Sequence, residues 1–211
     1  MAAEACTAAH RGIDALEDGS GRRLPLPDPK TDAGTLTIET TISPVNQEHF
    51  YELYLTAFAP LRTKAAARQV LHPQEFYAEM SDPRVLKYVV WNTTGEPEAM
   101  ATLTSDLSTV PWISPEYFAQ RYPEQTRRGA VYYWGFALAR PTRRSSRQFR
   151  QILVAIVAKM AAERAVCAYD VCAFNNATMR FAHQIETVTL QLADVTVEAI
   201  DTQTYFGATF R

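Results

Sequence analysis

The chain has 211 residues, 47% of them apolar and 21% charged, and its 21 Lys plus Arg against 23 Asp plus Glu leave a net charge of −2. That length suits one domain with a substantial core, and the near-cancelled charge excludes both a global basic field for nucleic acid and an acidic, disorder-like excess. No stretch approaches the roughly 20 apolar residues that span a bilayer, and Met1–Arg11 lacks the basic start and apolar run of a secretory signal. Three cysteines (Cys6, Cys167, Cys172) make no even disulfide framework and match no zinc spacing, so a reducing, cytoplasmic setting without metal is expected.

Residues 1–34 contain no Phe, Trp or Tyr, hold four glycines and alternate Pro25, Pro27 and Pro29. Such a stretch buries little surface to offset its ordering entropy, and it reads as a disordered tail before a single domain over 35–211. The domain opens with a partial period-2 strand carrying Leu36, Ile38 and Ile42. Asn46 is placed to cap a helix with Phe50, Leu53, Tyr54, Ala57 and Phe58 at helical spacing, ended by Pro60, and Pro73 opens a shorter helix through Met80. Residues 85–91 and 98–107 read as a hairpin around Asn-Thr-Thr-Gly-Glu-Pro, followed by a helix at Pro115–Tyr122; residues 111–118 read either as a lid with Trp112 at its tip or as a structural Pro-bounded helix.

Residues 130–139 (AVYYWGFALA) form an apolar strand of the kind buried on both faces. Residues 147–164 follow as the clearest helix, with Phe149, Ile152, Leu153, Ile156, Val157 and Met160 at steps of three and four. Residues 166–173 read as a strand with Cys167 and Cys172 on its opposite faces. Asn175 or Asn176 caps a further helix to about Gln184, and runs near 188–200 and 203–210 read as closing strands. The order predicts an α/β (α+β) domain around one mixed sheet.

The sharpest chemistry lies between the apolar strand and the long helix. Arg140, Arg143, Arg144, Arg147 and Arg150 crowd a helix start where Ser145 and Ser146 can serve as caps. The positive end of a helix dipole repels cations. A phosphate or pyrophosphate would satisfy the free N–H groups, the dipole and the guanidinium forks together, while a solvated arginine face is the bland alternative. Nucleic acid would need an extended basic stripe with exposed aromatics, which the sequence does not continue beyond Arg127 and Arg128.

In this region the chain resembles the GCN5-related N-acetyltransferase (GNAT) superfamily, by element order over most of 35–210 and by motif over 130–186. The resemblance implies a GNAT-like mixed central sheet flanked by helices, with a V-shaped cleft where the two central parallel strands splay. It implies that Phe136, Ala137, Leu138 and Ala139 pair with the pantetheine arm of acetyl-CoA or another acyl-CoA. Arg143, Arg144, Ser145, Ser146, Arg147 and Gln148 would hold the donor phosphates, and Asn175 fits the Asn that helps split the sheet.

The family's small loop residues are replaced here by Arg147 and Phe149, its strand carboxylate by Tyr133, and the Tyr that protonates the leaving thiolate by Ala182 or His183. Three readings follow: an acyltransferase fed by an acyl-phosphopantetheine carrier protein, one that grips CoA through arginine side chains, or a catalytically inactive binding or protein-interaction relative. The leading expectation is acyl transfer from a thioester to the amine of a small molecule, with Tyr133, Asp170, Asn175 and His183 as catalytic candidates. Each has a bland rival: core packing for Tyr133, a solvent-facing strand position for Asp170, a surface or capping residue for His183. An acyl-carrier protein and a second copy of the chain are candidate partners; nucleic acid and membrane are not expected.

Overall fold

A computed structural model describes residues 34–142 and 145–211. The tail expected over 1–34 therefore lies, Gly34 apart, outside the described residues, as do Arg143 and Arg144. The fold is mixed α/β: a five-stranded, mostly antiparallel sheet with seven helices and two short 3-10 turns among the described residues. None of those helices is long and apolar enough to cross a membrane.

Strand β1 (Thr35–Glu39) leads to helix α1 (Pro44–Phe58), a 3-10 turn (Ala59–Thr63) and helix α2 (Pro73–Ser81). Helix α1 begins ahead of the expected Asn46 cap because Pro44, whose fixed φ suits a first turn, already starts it after Ser43. Strands β2 (Val85–Trp91) and β3 (Pro97–Thr104) form the expected hairpin. Its turn is held by the Asn92 side chain, whose Oδ1 accepts from the Thr94 and Glu96 N–H groups at 2.9 and 2.8 Å.

A 3-10 turn (Leu107–Thr109) and helices α3 (Pro115–Arg121) and α4 (Pro123–Arg127) precede β4 (Val131–Ala139), which is followed by α5 (Ser145–Glu163). Strand β5 (Val166–Ala168) and helices α6 (Ala173–Met179) and α7 (Phe181–Leu192) complete the set.

The strands lie in sequence order, antiparallel except for β4 and β5. One face packs on α5 and α7 through Ile152, Leu153, Ile156, Ile185 and Val188 against Tyr132 and Trp134. The opposite face is shared: Phe50 and Tyr54 of α1 with Phe76 and Met80 of α2 cover one half, and Val110 and Phe118 cover Val131, Tyr133 and Ala168. Ile152, Leu153 and Ile156 are at most 2% exposed, and burying each such side chain stabilises the fold by about 1.5–3 kcal/mol.

Three expectations change. The strand read over 166–173 keeps only Val166–Ala168, and Cys172 stands at the N-cap of α6 rather than on the same strand as Cys167. The strand read from Val188 is instead the end of α7. There Phe181, Ile185, Val188 and Leu192 recur at steps of four, three and four and pack towards α5. The threonines that favour a strand are accommodated because the Thr187 and Thr189 hydroxyls donate to the carbonyls of His183 and Ile185, one turn back, at 2.8 and 2.7 Å.

Residues 193–211 carry neither helix nor strand. With no later strand to cover it, β5 is the edge of the sheet, so the parallel pair expected at the centre lies at one side.

Helix α5 ends in a Schellman arrangement. The Arg164 N–H reaches the Ala161 carbonyl at 3.2 Å, and the Ala165 N–H reaches that of Met160 at 2.9 Å, with Arg164 at φ 47°. A side chain in this left-handed region is strained, so Arg164→Gly is expected to raise stability by about 0.5–1 kcal/mol, read from the urea midpoint at unchanged m-value. An equal or lower midpoint would show that the Arg164 side chain outweighs the backbone strain.

Candidate functional site

Strand β4 changes face partway along. Ala101 pairs with Ala137 but Leu103 pairs with Trp134, so Thr102 of β3 stands opposite two residues, Gly135 and Phe136. This one-residue bulge resets the alternation of side chains. Before it, Tyr132 and Trp134 face α5 and α7; after it, Ala137 and Ala139 do, and Phe136 and Leu138 turn to the α1–α2 side. Glycine is required at the bulge because a Cβ at position 135 would sit 2.6 Å from the Thr102 Oγ1. That hydroxyl accepts from the Phe136 N–H at 3.3 Å and bonds the Glu79 carboxylate.

Glu79 reaches the bulge from the last turn of α2, where it shares the inward side with Phe76 and Met80. Its Oε1 lies 3.6 Å from where a Gly135 Cβ would be. Burial pushes its carboxyl above the ordinary value, against the Thr102 bond and the nearby Lys87 charge, which lower it. Lys87 of β2 has no exposed surface, and its Nζ donates to the carbonyls of Thr40 and Asp82 at 2.9 and 2.8 Å. Burial brings this ammonium down to about 8.

Tyr133, at 2% exposure, lies across from Glu79. Its hydroxyl donates to Asp170 and accepts from the Trp112 indole N–H at 3.2 Å, and the two rings meet edge-on at 6.4 Å. Burial first, then the Asp170 charge, raises the phenol well above its usual range. Glu79, Thr102, Thr104, Trp112, Tyr133 and Gly135 line a cavity of about 20 Å³, enough for one water.

Of the catalytic residues proposed from sequence, Tyr133 and Asp170 are thus brought together. Asn175 lies on α6 with its Oδ1 buried and no hydrogen-bond partner for that atom among the described residues. His183 sits exposed on α7, its Nδ1 3.7 Å from Glu186, and does not line the cavity. Cys167 is half-buried, and desolvation pushes its thiol up to about 12, which disfavours the nucleophilic thiolate.

On the donor side, Phe136 lies among Tyr54, Phe58 and Phe76, at ring distances of 5.1, 6.1 and 6.0 Å. Ser145 and Ser146 form the start of α5, and Arg147 is exposed on its first turn. Gln148 is 4% exposed and donates to Glu98. Phe149 stacks on Trp134 at 6.0 Å within the core.

Glu79, Thr102 and Gly135 were not singled out from sequence. The available signals are a glycine inside an apolar strand and an acid three residues after the buried Phe76 on a helix.

Between its folded value near 8 and the ordinary 10.5, Lys87 has shed its proton in the folded chain while the unfolded chain still holds it. Stability should therefore rise with pH across that interval. Urea unfolding at about pH 8 and about pH 10 should show the wild type gaining relative to Lys87→Met; parallel pH dependences of the two would contradict the burial of a charge at this position.

No family's sequence profile matches the chain, and no curated protein sequence does either.

Proposed function

We propose that the chain is a GNAT-type N-acyltransferase, moving an acyl group from a CoA or carrier-protein thioester to the amine of a small molecule. The observation that carries this reading is the way β4 is left open. Its parallel pairing with β5 stops at Tyr133 and Ala168, so residues 134–139 have no strand partner on that side among the described residues. The free edge begins at the bulge and runs towards the N-terminus of the 19-residue helix α5.

An extended pantetheine arm fits such an edge, because its amides can complete the backbone pairing that a missing strand leaves open. In this reading the unpaired stretch of β4 beyond Tyr133 forms one wall of the donor cleft. The N–H groups at the start of α5, with Arg147 and the arginines at 143 and 144, suit the phosphates that follow the arm in CoA. Two substitutions in the connection are compatible with this. Arg147 is exposed and adds a guanidinium, and Phe149 is packed on Trp134 in the core.

The acceptor would approach from the opposite side of β4, past Trp112. There the exposed Asp170 carboxylate, held by the Tyr133 hydroxyl, can orient an ammonium by charge. The residues have little covalent work to do. The amine nitrogen attacks the thioester carbonyl, the carbon–sulfur bond breaks, and positioning of the two substrates supplies much of the rate.

The second reading, a catalytically inactive GNAT-fold module, has one observation in its favour. The Glu98 carboxylate is paired with Gln148 at the first turn of α5, so an anion of the protein already stands near the place assigned to the phosphates.

Calorimetric titration with acetyl-CoA, longer acyl-CoAs and an acyl-carrier protein separates the two. The acyltransferase reading expects micromolar binding to at least one donor, weakened at least about tenfold (1.4 kcal/mol) by an Arg144→Ala/Arg147→Ala double variant. Folded protein that takes up no thioester would support the inactive module.

A further inference from the structure

Resting on the acyltransferase reading above, we propose that Glu79 is the acid–base residue of this site, accepting the acceptor ammonium's proton through a single water held in the cavity beside Gly135.

The position singles it out. Among the residues that line the cavity, Glu79 is the one carboxylate. Tyr133 cannot act as the base, because its hydroxyl already donates to Asp170 and its phenol is held protonated by burial and by that carboxylate. Asp170 is exposed and engaged by Tyr133, and His183 lies at the surface beside Glu186.

Glu79 enters from α2, a different element from the strand that a sequence reading searches. It reaches β4 because glycine at 135 leaves room for its carboxyl oxygen. Thr102 holds it in orientation: the hydroxyl that receives the Phe136 N–H donates onward to Glu79, tying the carboxylate to the bulge. The space between Glu79 and Tyr133 fits one water, enough for a relay and too small for the acceptor itself.

The step balances without another reagent. The acceptor R–NH3+ gives one proton to the water, which passes one to the Glu79 carboxylate. The freed lone pair forms the carbon–nitrogen bond, and the carbon–sulfur bond breaks with its electron pair going to sulfur. The second ammonium proton leaves the new amide nitrogen for the thiolate, giving amide and free thiol. The groups that face Glu79 set its readiness: Lys87 from β2 and the Thr102 bond favour the carboxylate, and burial and Asp82 after α2 favour the acid. Tyr54 of α1 and Tyr133 of β4 are neutral neighbours near neutral pH, each phenol being raised by burial.

The test uses the whole chain, acetyl-CoA and a panel of small primary amines, with thiol release as the readout. Glu79→Gln keeps an acceptor for the Thr102 hydroxyl. It should leave acetyl-CoA binding by calorimetry within about twofold of wild type while kcat/KM for the best amine falls about 100-fold. The rise of rate with pH on the acid side should vanish in the variant. A Glu79→Gln protein with wild-type rate and wild-type acid limb overturns the proposal.

An infrared pH titration reads the same group without an acceptor. A protonated-carboxyl band that titrates above the ordinary glutamate range and is absent from Glu79→Gln supports the proposal, and no such band overturns it. Folded wild-type protein that binds none of acetyl-CoA, longer acyl-CoAs and an acyl-carrier protein would instead strike the acyltransferase reading beneath it, so the two failures are distinguishable.

Discussion

Everything on the sheet's second face depends on one extra residue in β4. A strictly alternating strand that sends Tyr132 and Trp134 towards α5 would send Phe136 and Leu138 the same way. It would offer only Ala137 and Ala139 to the α1–α2 layer. The bulge opposite Thr102 removes that conflict, so Phe136 joins Tyr54 and Phe76 while the two small alanines lie under α5. The same local distortion exposes the backbone around Gly135 to a side chain from α2. Packing and chemistry therefore share a cause: the residue that lets both layers bury their aromatics also opens the place where Glu79, Thr102 and Tyr133 converge.

The charges beneath this face form a connected set. Lys87 and Glu79 oppose each other's desolvation, and Lys87 is further held by two carbonyls, from Thr40 after β1 and Asp82 after α2. One buried ammonium thus ties the ends of two elements to β2. Replacing a single member of such a set leaves the others short of a partner, so its energetics are not a sum of pairs.

Legibility from sequence followed periodicity. The apolar stripe of α5 and the run of β4 are strong signals, and both elements lie where the pattern put them to within two residues. The hairpin turn was legible because its residues carry their own chemistry, an Asn side chain that closes the turn on itself. Residues 188–192 were not, because β-branched residues favour a strand locally while packing against α5 decides for a helix. In the site, Tyr133 could be named from its strand position, and Asp170 from a strand read over 166–173 that in fact ends at Ala168, so Asp170 lies beyond it. Their hydrogen bond depends on how β5 ends, and no pattern announces that. Glu79 was hidden for a different reason: its meaning comes from Gly135, far along the chain and brought beside it only by the packing of α2 on the sheet.

The segment after α7 ties back to α3. The Tyr117 hydroxyl donates to the Ile200 carbonyl at 2.8 Å, Arg121 pairs with Glu198 at 2.8 Å, and Ile200 packs beside Val110 and Phe118. Helix α3 follows directly on the turn that carries Trp112, whose indole closes the cavity on Tyr133. Proteins are made from the N-terminus, so this wall gains its brace only after the sheet and α5 have left the ribosome. The pocket is thus finished late in synthesis, by residues that belong to neither of the strands between which it lies.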